Sequence, residues 1–358
     1  MASGVNMGEF WALVLGCVMF LGASPLVAES CDTVEGIESI CGLTAPEDIV
    51  RAPNGRDLIF SQYSAEGRLS LLDTHNQSVH TLFPGSDSTI GAEELWGDRA
   101  CSEPPARFWP HGIDISQQAD GRWKLLVVNH GERESVEFFE LVEGEQGRPG
   151  LIWRGCVEGP KQSHFNDVAA LPGDGFLVSQ MYEDSLPVWN LIKAIFGVDT
   201  GFLYRWEADT GFEVIEGTQG KMPNGITVSP DGKSFFLNVY FDDEVRKYDL
   251  ESGKRVGTVS VDKPDNASWS LKGQLLVASH TSSMLKIVTS TGGGGGEPSM
   301  LPFSIVEIDP QTLDTRVVLD HEGPPMGAGT VAVEQNGYLY IGSYTGDRMI
   351  KYPISRGL

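Results

Sequence analysis

The sequence of 358 residues predicts an all-β fold, a six-bladed β-propeller, from three observations. A unit of three short strands occurs six times along residues 45–354, at intervals of 42 to 64 residues. Each unit places a polar or acidic residue at the same phase, close to the start of its first strand. In five of the six units the second strand ends 14 residues after that polar residue, whereas in the unit of His111 the distance is 19 residues. A regular repeat of short strands is typical of a propeller.

The fourth unit, residues 222–250, shows the pattern in full. Ile226–Val228 alternates apolar and polar residues, Pro230-Asp-Gly supplies a turn, and Phe235–Tyr240 and Val245–Leu250 form two more strands. Asn224 precedes the first strand and is followed by glycine, which taken alone is typical of an ordinary turn. Only the repetition of a polar residue at this phase makes Asn224 a candidate functional residue.

The other units follow the same plan, with an opening, a turn and an apolar second strand. The six openings are Glu47-Asp48-Ile49, His111-Gly112-Ile113, Asn166-Asp167-Val168, Asn224-Gly225-Ile226, Asp265-Asn266-Ala267 and Gly329-Thr330-Val331. The second strands are expected to end at Gln62, His130, Gln180, Asn238, His280 and Tyr344. Because one domain accounts for all of these repeats without a break in composition, we expect residues 29–358 to form a single propeller domain.

The first strands of all blades begin at the same end of a propeller's central channel, so the polar residues of the openings should converge there. The converging set is Glu47, Asp48, His111, Asn166, Asp167, Asn224, Asp265 and Asn266. Carboxylate and amide oxygens are the ligands of a hard cation such as calcium, and a divalent ion offsets the repulsion between buried carboxylates. The alternative is a polar, water-filled channel without a metal.

At these residues the chain resembles the paraoxonase/arylesterase family and, more distantly, gluconolactonase and regucalcin. The motifs that carry the resemblance span nearly all of the chain and are PEDI at 46–49, PHGI at 110–113, VVNH at 127–130, FNDV at 165–168, PNGI at 223–226, PDNAS at 264–268 and ASH at 278–280. Members of the family are calcium-dependent lactonases and esterases, so the resemblance implies a six-bladed propeller that holds calcium in its central channel.

The resemblance also assigns roles to single residues, with two calcium ions. The ligands that it implies for the catalytic ion are Glu47, Asn166, Asn224, Asp265 and Asn266. For a buried structural ion, it implies Asp48, Asp167 and the carbonyl oxygen of Ile113. It places a catalytic histidine pair at His111 and His130 and a further active-site histidine at His280.

The strand pattern itself also predicts that the two histidines of the pair lie close together. His111 opens the first strand of its unit and His130 ends the second, and an antiparallel hairpin brings those two positions together. A paired imidazole can accept a proton from water near neutral pH, and we favour His111 as the base and His130 as its partner. Calcium would bind the carbonyl oxygen of the substrate and stabilise the oxyanion.

The predicted function is therefore calcium-dependent hydrolysis of a small-molecule lactone or aryl ester. Two alternatives stay open, a sugar lactone or organophosphate as the substrate of the same site, and a binding propeller without catalysis. The chain has no Gly-x-Ser-x-Gly motif, which argues against a serine hydrolase of that type. A net charge of −23 argues against nucleic acid as a partner.

The segment before the repeats indicates export. Phe10–Ala28 is uncharged over 19 residues, which fits residues 1–28 as a cleaved secretory signal or as a retained N-terminal anchor of a secreted or membrane-bound protein.

The four cysteines beyond this segment allow three pairings, of which we favour Cys31 with Cys41 and Cys101 with Cys156. Animal relatives tie the N-terminal region to the last strand by a disulfide. This chain has no cysteine after Cys156, so its propeller should close by strand pairing and packing.

Two insertions interrupt the repeat. Residues 185–202, in the third unit, carry Trp189, Leu191, Ile192, Ile195 and Phe196 at a spacing that predicts a short amphipathic helix over the mouth of the channel. The helix could act as a gate for substrates or as a contact with a membrane or lipid surface. In the fifth unit, Gly292–Gly296 predicts a flexible loop. Met181 and Tyr182 stand where animal paraoxonases have an Asp-His pair, which puts the substrate preferences of those relatives in question here.

We expect the exported protein to begin close to Glu29, because Leu26-Val-Ala28 has the small-residue pattern of a signal cleavage site. The contrary signal is the absence of Lys and Arg before the apolar segment. Mass spectrometry of the intact secreted protein will measure the N-terminus. A mass that includes residues 1–28 would contradict cleavage and indicate an anchor.

Overall fold

The computed structural model contains six sheets, arranged as the blades of a propeller. It describes residues 26–27, 30–85, 88–90, 94–144, 147–183, 187–283, 286 and 296–354, and the side chains of these except in 26–31, 88–90 and 187–188. Each blade's first strand contacts the first strands of the two neighbouring blades, so six strands surround a central channel. The predicted fold class is confirmed.

The strands of each blade are given from the channel outward, numbered in chain order. Blade 1 comprises β4 (Pro46–Arg51), β5 (Asp57–Gln62), β6 (Arg68–Asp73), β7 (Ser78–Phe83) and β1 (Leu26–Val27). Blade 2 comprises β9 (Pro110–Gln117), β10 (Trp123–Asn129), β11 (Ser135–Glu143), β12 (Pro149–Glu158) and β8 (Ser88–Ile90). Blade 3 comprises β13 (Ser163–Ala170), β14 (Phe176–Glu183), β15 (Phe202–Glu207) and β16 (Gly211–Val214).

The last three blades complete the ring. Blade 4 comprises β17 (Pro223–Val228), β18 (Ser234–Val239), β19 (Glu244–Asp249) and β20 (Arg255–Ser260). Blade 5 comprises β21 (Pro264–Trp269), β22 (Leu275–His280), β23 (Phe303–Ile308) and β24 (Thr315–His321). Blade 6 comprises β25 (Gly329–Gln335), β26 (Tyr338–Ser343), β27 (Arg348–Pro353), β3 (Ile37–Cys41) and β2 (Ser30–Val34).

Blade 6 closes the propeller because it joins both ends of the chain. The N-terminal β3 pairs antiparallel with the C-terminal β27, with Ile40 opposite Met349. Both side chains are fully buried in the packed interior of the blade. Closure by strand pairing and packing, expected from the lack of a late cysteine, is confirmed.

Every blade carries a β-bulge at the predicted polar position. In each, the pairing between the first and second strands skips two residues of the first strand, so that two residues oppose one. The skipped pairs are residues 47–48, 111–112, 166–167, 224–225, 265–266 and 330–331. A bulge bends its strand and redirects side chains, which explains how the openings of blades 1 to 5 reach the channel. Two of the freed amides bind hydroxyls of the second strand, Asp48 N–H to Ser61 Oγ (3.1 Å) and Asp167 N–H to Ser179 Oγ (3.0 Å).

The glycines at two bulges allow neighbouring first strands to approach. A Cβ atom at Gly225 would lie 2.5 Å from the carbonyl oxygen of Asp265, and one at Gly112 would lie 2.5 Å from the Cα atom of Asp167. The Asn224-Gly225 pair therefore belongs to β17 and not to a turn, and its glycine serves the contact between blades 4 and 5.

The insertion in blade 3 contains the helix α1 (Pro187–Ile195). Its Leu191 and Ala194 pack against Met222 and Tyr240, while Phe196, just after the helix, is 81% exposed. The predicted helix is confirmed, and its association with a membrane stays a prediction. No helix within the described ranges has the length and apolar character needed to span a bilayer. Residues 1–25 of the predicted signal or anchor (1–28), and residues 292–295 of the predicted glycine loop, lie outside the described residues. Leu26–Val27 pairs with β7.

The disulfide between Cys101 and Cys156 is formed as predicted, across 55 residues of sequence. Both cysteines are buried in an apolar cluster shared by blades 1 and 2. Cys41 is also disulfide-bonded, and since the side chain of Cys31 lies outside the described residues, their pairing stays a prediction.

We expect the double variant Cys101→Ala/Cys156→Ala to lose about 2–4 kcal/mol of unfolding free energy, because the disulfide limits the unfolded chain over a long loop. Denaturant titration of the variant and of the wild type will measure the difference. Titration of the wild type in reducing agent provides the comparison without mutation. A loss below about 0.5 kcal/mol would contradict a stabilising role.

Candidate functional site

The openings of five blades converge on a cavity of about 250 Å³, here called the upper cavity. Predicted site residues that line it are Glu47, His111, Asn166, Asn224, Asp265 and His280. The rest of its wall consists of Tyr63, His164, Met181, Tyr182, Met222, Tyr240, Phe241 and Tyr344. Asn266 lies just behind this surface, where its Nδ2 donates a hydrogen bond to Glu47 Oε1 (2.7 Å).

The oxygen atoms of this site form a donor set that suits a hard cation. Among the described side chains, the buried oxygens Glu47 Oε2, Asn166 Oδ1, Asn224 Oδ1 and Asn266 Oδ1 have no hydrogen-bond partner. Burial raises the pKa of Asp265 to about 8, and burial together with Asp48 and Asp265 raises that of Glu47 well above its usual value. Unpaired buried oxygens are costly, and a cation bound to them would remove that cost. The residues predicted for the catalytic ion therefore fit a calcium ion chemically.

A second, smaller cavity of about 200 Å³ lies further along the same strands and is here called the lower cavity. Its lining includes Asp48, Ile113 and Asp167, the set predicted for the structural ion. Glu47 and Asp48 thus line different cavities although they are consecutive, because both lie in the bulge of β4, where the regular strand geometry is interrupted.

The aspartates of the lower cavity also connect the blades. Asp48 accepts the backbone N–H of Ile113 (2.7 Å), and Asp167 accepts that of Ile226 (2.8 Å). Burial raises the pKa of Asp48 to about 7 and that of Asp167 well above its usual value. The remaining oxygen lone pairs are available to a cation, as the prediction requires.

Asp114 makes the same kind of connection and was not predicted. It accepts the N–H of Ala170 in the next blade (2.7 Å), and burial raises its pKa to about 6. The sequence signal was weak because Asp114 lies inside β9, beyond the position at which the other openings place their polar residues.

The histidine pair is in direct contact. His111 Nδ1 and His130 Nε2 are 2.9 Å apart, since β9 and β10 form the hairpin that the sequence predicts. His111 Nε2 points toward the upper cavity, 3.8 Å from Glu47 Oε1. Burial, with His130 and His164 nearby, lowers the pKa of His111 well below its usual value and keeps the ring neutral.

Residues that the sequence pattern did not reveal surround this pair. The carboxylate of Glu134 lies 2.9 Å from His130 Nδ1, and the ring of His164 stacks between His130 (4.5 Å between centroids) and Tyr182 (4.4 Å). Glu134, His130 and His164 are close enough to bind a metal ion together. Both nitrogens of His130 already have partners, however, which favours a hydrogen-bonded chain over a metal centre.

Both ring nitrogens of His280 form hydrogen bonds. Its Nε2 donates to the carbonyl oxygen of Gly329 (3.1 Å), which can only accept, so its Nδ1 accepts from the hydroxyl of Tyr240 (2.8 Å). Burial lowers the pKa of His280 to about 4 and keeps the ring neutral. Its Nε2 also lies 3.5 Å from Asp265 Oδ2. This geometry holds the neutral ring of His280 beside the carboxylate of Asp265, and the catalytic role of His280 stays a prediction.

A larger groove of about 800 Å³ lies on the outer strands of blades 3 and 4. Its lining includes Arg205, Glu216 and Lys254 but none of the predicted site residues. The predicted site residues are thus concentrated in the two cavities of the channel rather than in the larger groove.

Solved structures share the fold at low sequence identity. A gluconolactonase from Xanthomonas campestris is 15% identical, with a TM-score of 0.51 and coverage of 89% of this chain and 90% of its own. A luciferin-regenerating enzyme is 14% identical, with a TM-score of 0.55 and coverage of 89% and 95%. The calcium-binding regucalcin from Agrobacterium tumefaciens is 11% identical, with a TM-score of 0.50 and coverage of 88% and 90%.

No curated protein matches the chain in sequence. The model of the arylesterase family, in contrast, matches residues 28–348, which include all six blade openings and both cavities. The chain therefore belongs to the arylesterase family.

Proposed function

We propose that the upper cavity is the active site of a hydrolase that opens lactones and cleaves aryl esters. The observation that carries the proposal is the meeting of unpaired buried oxygens with a neutral histidine pair in one cavity. Membership of the arylesterase family and the fold shared with a gluconolactonase support the same class of reaction.

The proposed cofactor is calcium, with two ions. Glu47, Asn166, Asn224, Asp265 and Asn266 would hold the catalytic ion, and Asp48, Asp167 and the carbonyl oxygen of Ile113 the structural one. When bound in the upper cavity, calcium would supply the positive charge that polarises the substrate carbonyl and stabilises the oxyanion. The fold is shared with a calcium-binding regucalcin, which supports this choice of metal.

The proton transfers of the proposed reaction fall to His111. Its Nε2 faces the cavity and takes a proton from water as the water oxygen bonds to the carbonyl carbon. The tetrahedral intermediate then collapses, the bond from the carbonyl carbon to the leaving oxygen breaks, and the leaving oxygen receives the proton from His111. Water is added across the ester bond, and the histidine returns to its neutral form.

The wall of the upper cavity favours an apolar substrate over a sugar lactone. Met181, Met222 and Phe241 present apolar surface, and α1 packs behind Met222 and Tyr240. A sugar would leave several hydroxyls facing this apolar surface, at a cost in hydrogen bonds. We therefore propose lactones with alkyl chains and aryl esters as the substrate class.

We also propose an extracytoplasmic location, which the Cys101–Cys156 disulfide supports.

We expect Asn224→Ala and Asp265→Ala to abolish measurable lactone hydrolysis, since each removes a calcium ligand and thereby the charge stabilisation and water positioning together. His111→Gln should retain residual activity, because loss of a general base costs about 10²–10⁴-fold. Rates of hydrolysis of a lactone series by the purified variants will show whether their activities follow this order. Asn76→Ala, at an exposed turn, is the matched control and should keep full activity.

Removal of calcium by a strong chelator should abolish activity and lower the melting temperature, because ions that bind only the folded channel stabilise it. Readdition of calcium, with hydrolysis and melting followed together, should restore both. Full activity and unchanged melting after verified metal removal would exclude the calcium site and favour the binding propeller without catalysis.

We expect Leu191→Ser to raise KM for long-chain lactones about fivefold to tenfold while sparing short ones, since it removes apolar packing worth about 1–1.4 kcal/mol behind the cavity wall. Phe196→Ser, at a side chain that is 81% exposed, is the control and should leave KM unchanged. Steady-state kinetics over graded chain lengths will test this. Equal effects of Leu191→Ser on long and short substrates would indicate a merely structural role for the helix.

A further inference from the structure

We propose that Glu134 is a positioning residue that extends the histidine pair into a carboxylate–histidine–histidine chain, Glu134–His130–His111. The inference deepens the proposed function and rests on it. Glu134 lies outside the six repeated openings, in the loop between β10 and β11, and it does not line the upper cavity. It therefore does not touch the substrate, and its proposed influence on the reacting atoms passes through His130 and His111.

The contacts of Glu134 fix its carboxylate on His130. Oε2 and Oε1 lie 2.9 Å and 3.1 Å from His130 Nδ1. Oε1 also accepts the backbone N–H of Phe165 (2.5 Å), in the strand that carries Asn166. The backbone carbonyl of Glu134 accepts the N–H of Gly159 (2.8 Å). With its side chain 18% exposed, Glu134 is held between blades 2 and 3 and is not a freely moving surface residue.

A carboxylate in this place determines which nitrogen of His130 carries the proton. An ionised carboxylate only accepts hydrogen bonds, so His130 Nδ1 must be the donor. His130 Nε2 is then a lone pair and accepts from His111 Nδ1–H, at 2.9 Å. The lone pair of His111 is consequently on Nε2, the nitrogen that faces the cavity and the substrate water. With the opposite tautomers, His111 Nε2 would carry a proton and could not act as a base.

The same chain can share the positive charge that forms during the reaction. After His111 Nε2 takes a proton from water, its Nδ1–H bond can break as an Nε2–H bond forms on His130. The imidazolium then lies on His130, 2.9 Å from the Glu134 carboxylate, and the proton returns by the same route. An ion pair in a buried site is stronger than in water, so the carboxylate stabilises this state.

The ring stack beside the chain keeps its geometry. His164 lies parallel to His130, with 9° between the ring planes, and Tyr182 covers the other face of His164. Tyr63 contacts the ring of His111, with 4.5 Å between centroids. These contacts limit rotation of both imidazoles, so the hydrogen bonds along the chain stay aligned.

The test compares Glu134→Gln with Glu132→Gln, the same change at an exposed residue of the same loop. We expect Glu134→Gln to lower kcat for lactones about 10- to 100-fold with little change in KM, as for other residues that orient a catalytic group. Glu132→Gln should leave both unchanged. In the His111→Gln background, Glu134→Gln should have no further effect on kcat, because the group that it orients is missing. An unchanged kcat in Glu134→Gln, or an undiminished effect in the double variant, would overturn the proposal.

A second readout does not depend on activity. Proton–nitrogen NMR correlation of the wild-type histidines, with His130 assigned from the spectrum of His130→Gln, will show which ring nitrogen is protonated. We expect Nδ1–H in the wild type and in Glu132→Gln, and a mixture of tautomers in Glu134→Gln. Nε2–H on His130 in the wild type would overturn the proposal. If the wild type hydrolyses neither lactones nor esters, the proposed function is wrong, and the tautomer spectrum alone then decides whether Glu134 orients His130.

Discussion

The burial of several carboxylates in one channel is the constraint on which the rest of the structure depends. Glu47, Asp48, Asp167 and Asp265 are between 2% and 6% exposed, and burial raises the pKa of each. Four ionised carboxylates in such a volume would repel one another and lose their hydration, unless other groups offset their negative charge. Part of the compensation is visible in the backbone N–H groups that bind Asp48 and Asp167. The proposed cation would supply the remainder, so the fold and the proposed chemistry share one electrostatic requirement.

The bulges show how a local pattern produces this arrangement. At each bulge two residues of the first strand oppose one residue of the second strand, so the first strand has one extra residue. In blades 1 to 5 these bulge residues include the polar side chains that line the channel, and a small residue such as Gly225 lets the neighbouring strands meet. Because residues from all six blades line the upper cavity, including Tyr344 of blade 6, it exists only when the ring is closed through β3 and β27.

The upper cavity contains three groups of residues, each with a different proposed role. Oxygen donors lie at the channel, the histidine pair stands beside them, and an apolar wall backed by α1 faces the opening. The blade 2 hairpin provides both the proposed base and, through its loop, the carboxylate that we propose orients it. The proposed proton position thus depends on a single hairpin, whereas the proposed metal ligands come from several blades of the ring.

The sequence by itself determined the blade count, the phase of the openings and the residues that meet in the channel, because all of these follow from a short-range repeat. Asn224 was recognisable only through that repeat, and His111 with His130 through the geometry of one hairpin. Tertiary structure alone decided the partners of these residues. Glu134, His164, Tyr240 and Asp114 carry no periodic signal, and their roles depend on which blades pack side by side. Contacts between blades join residues far apart in the chain, such as His280 and Gly329, and local patterns contain no information on such distances.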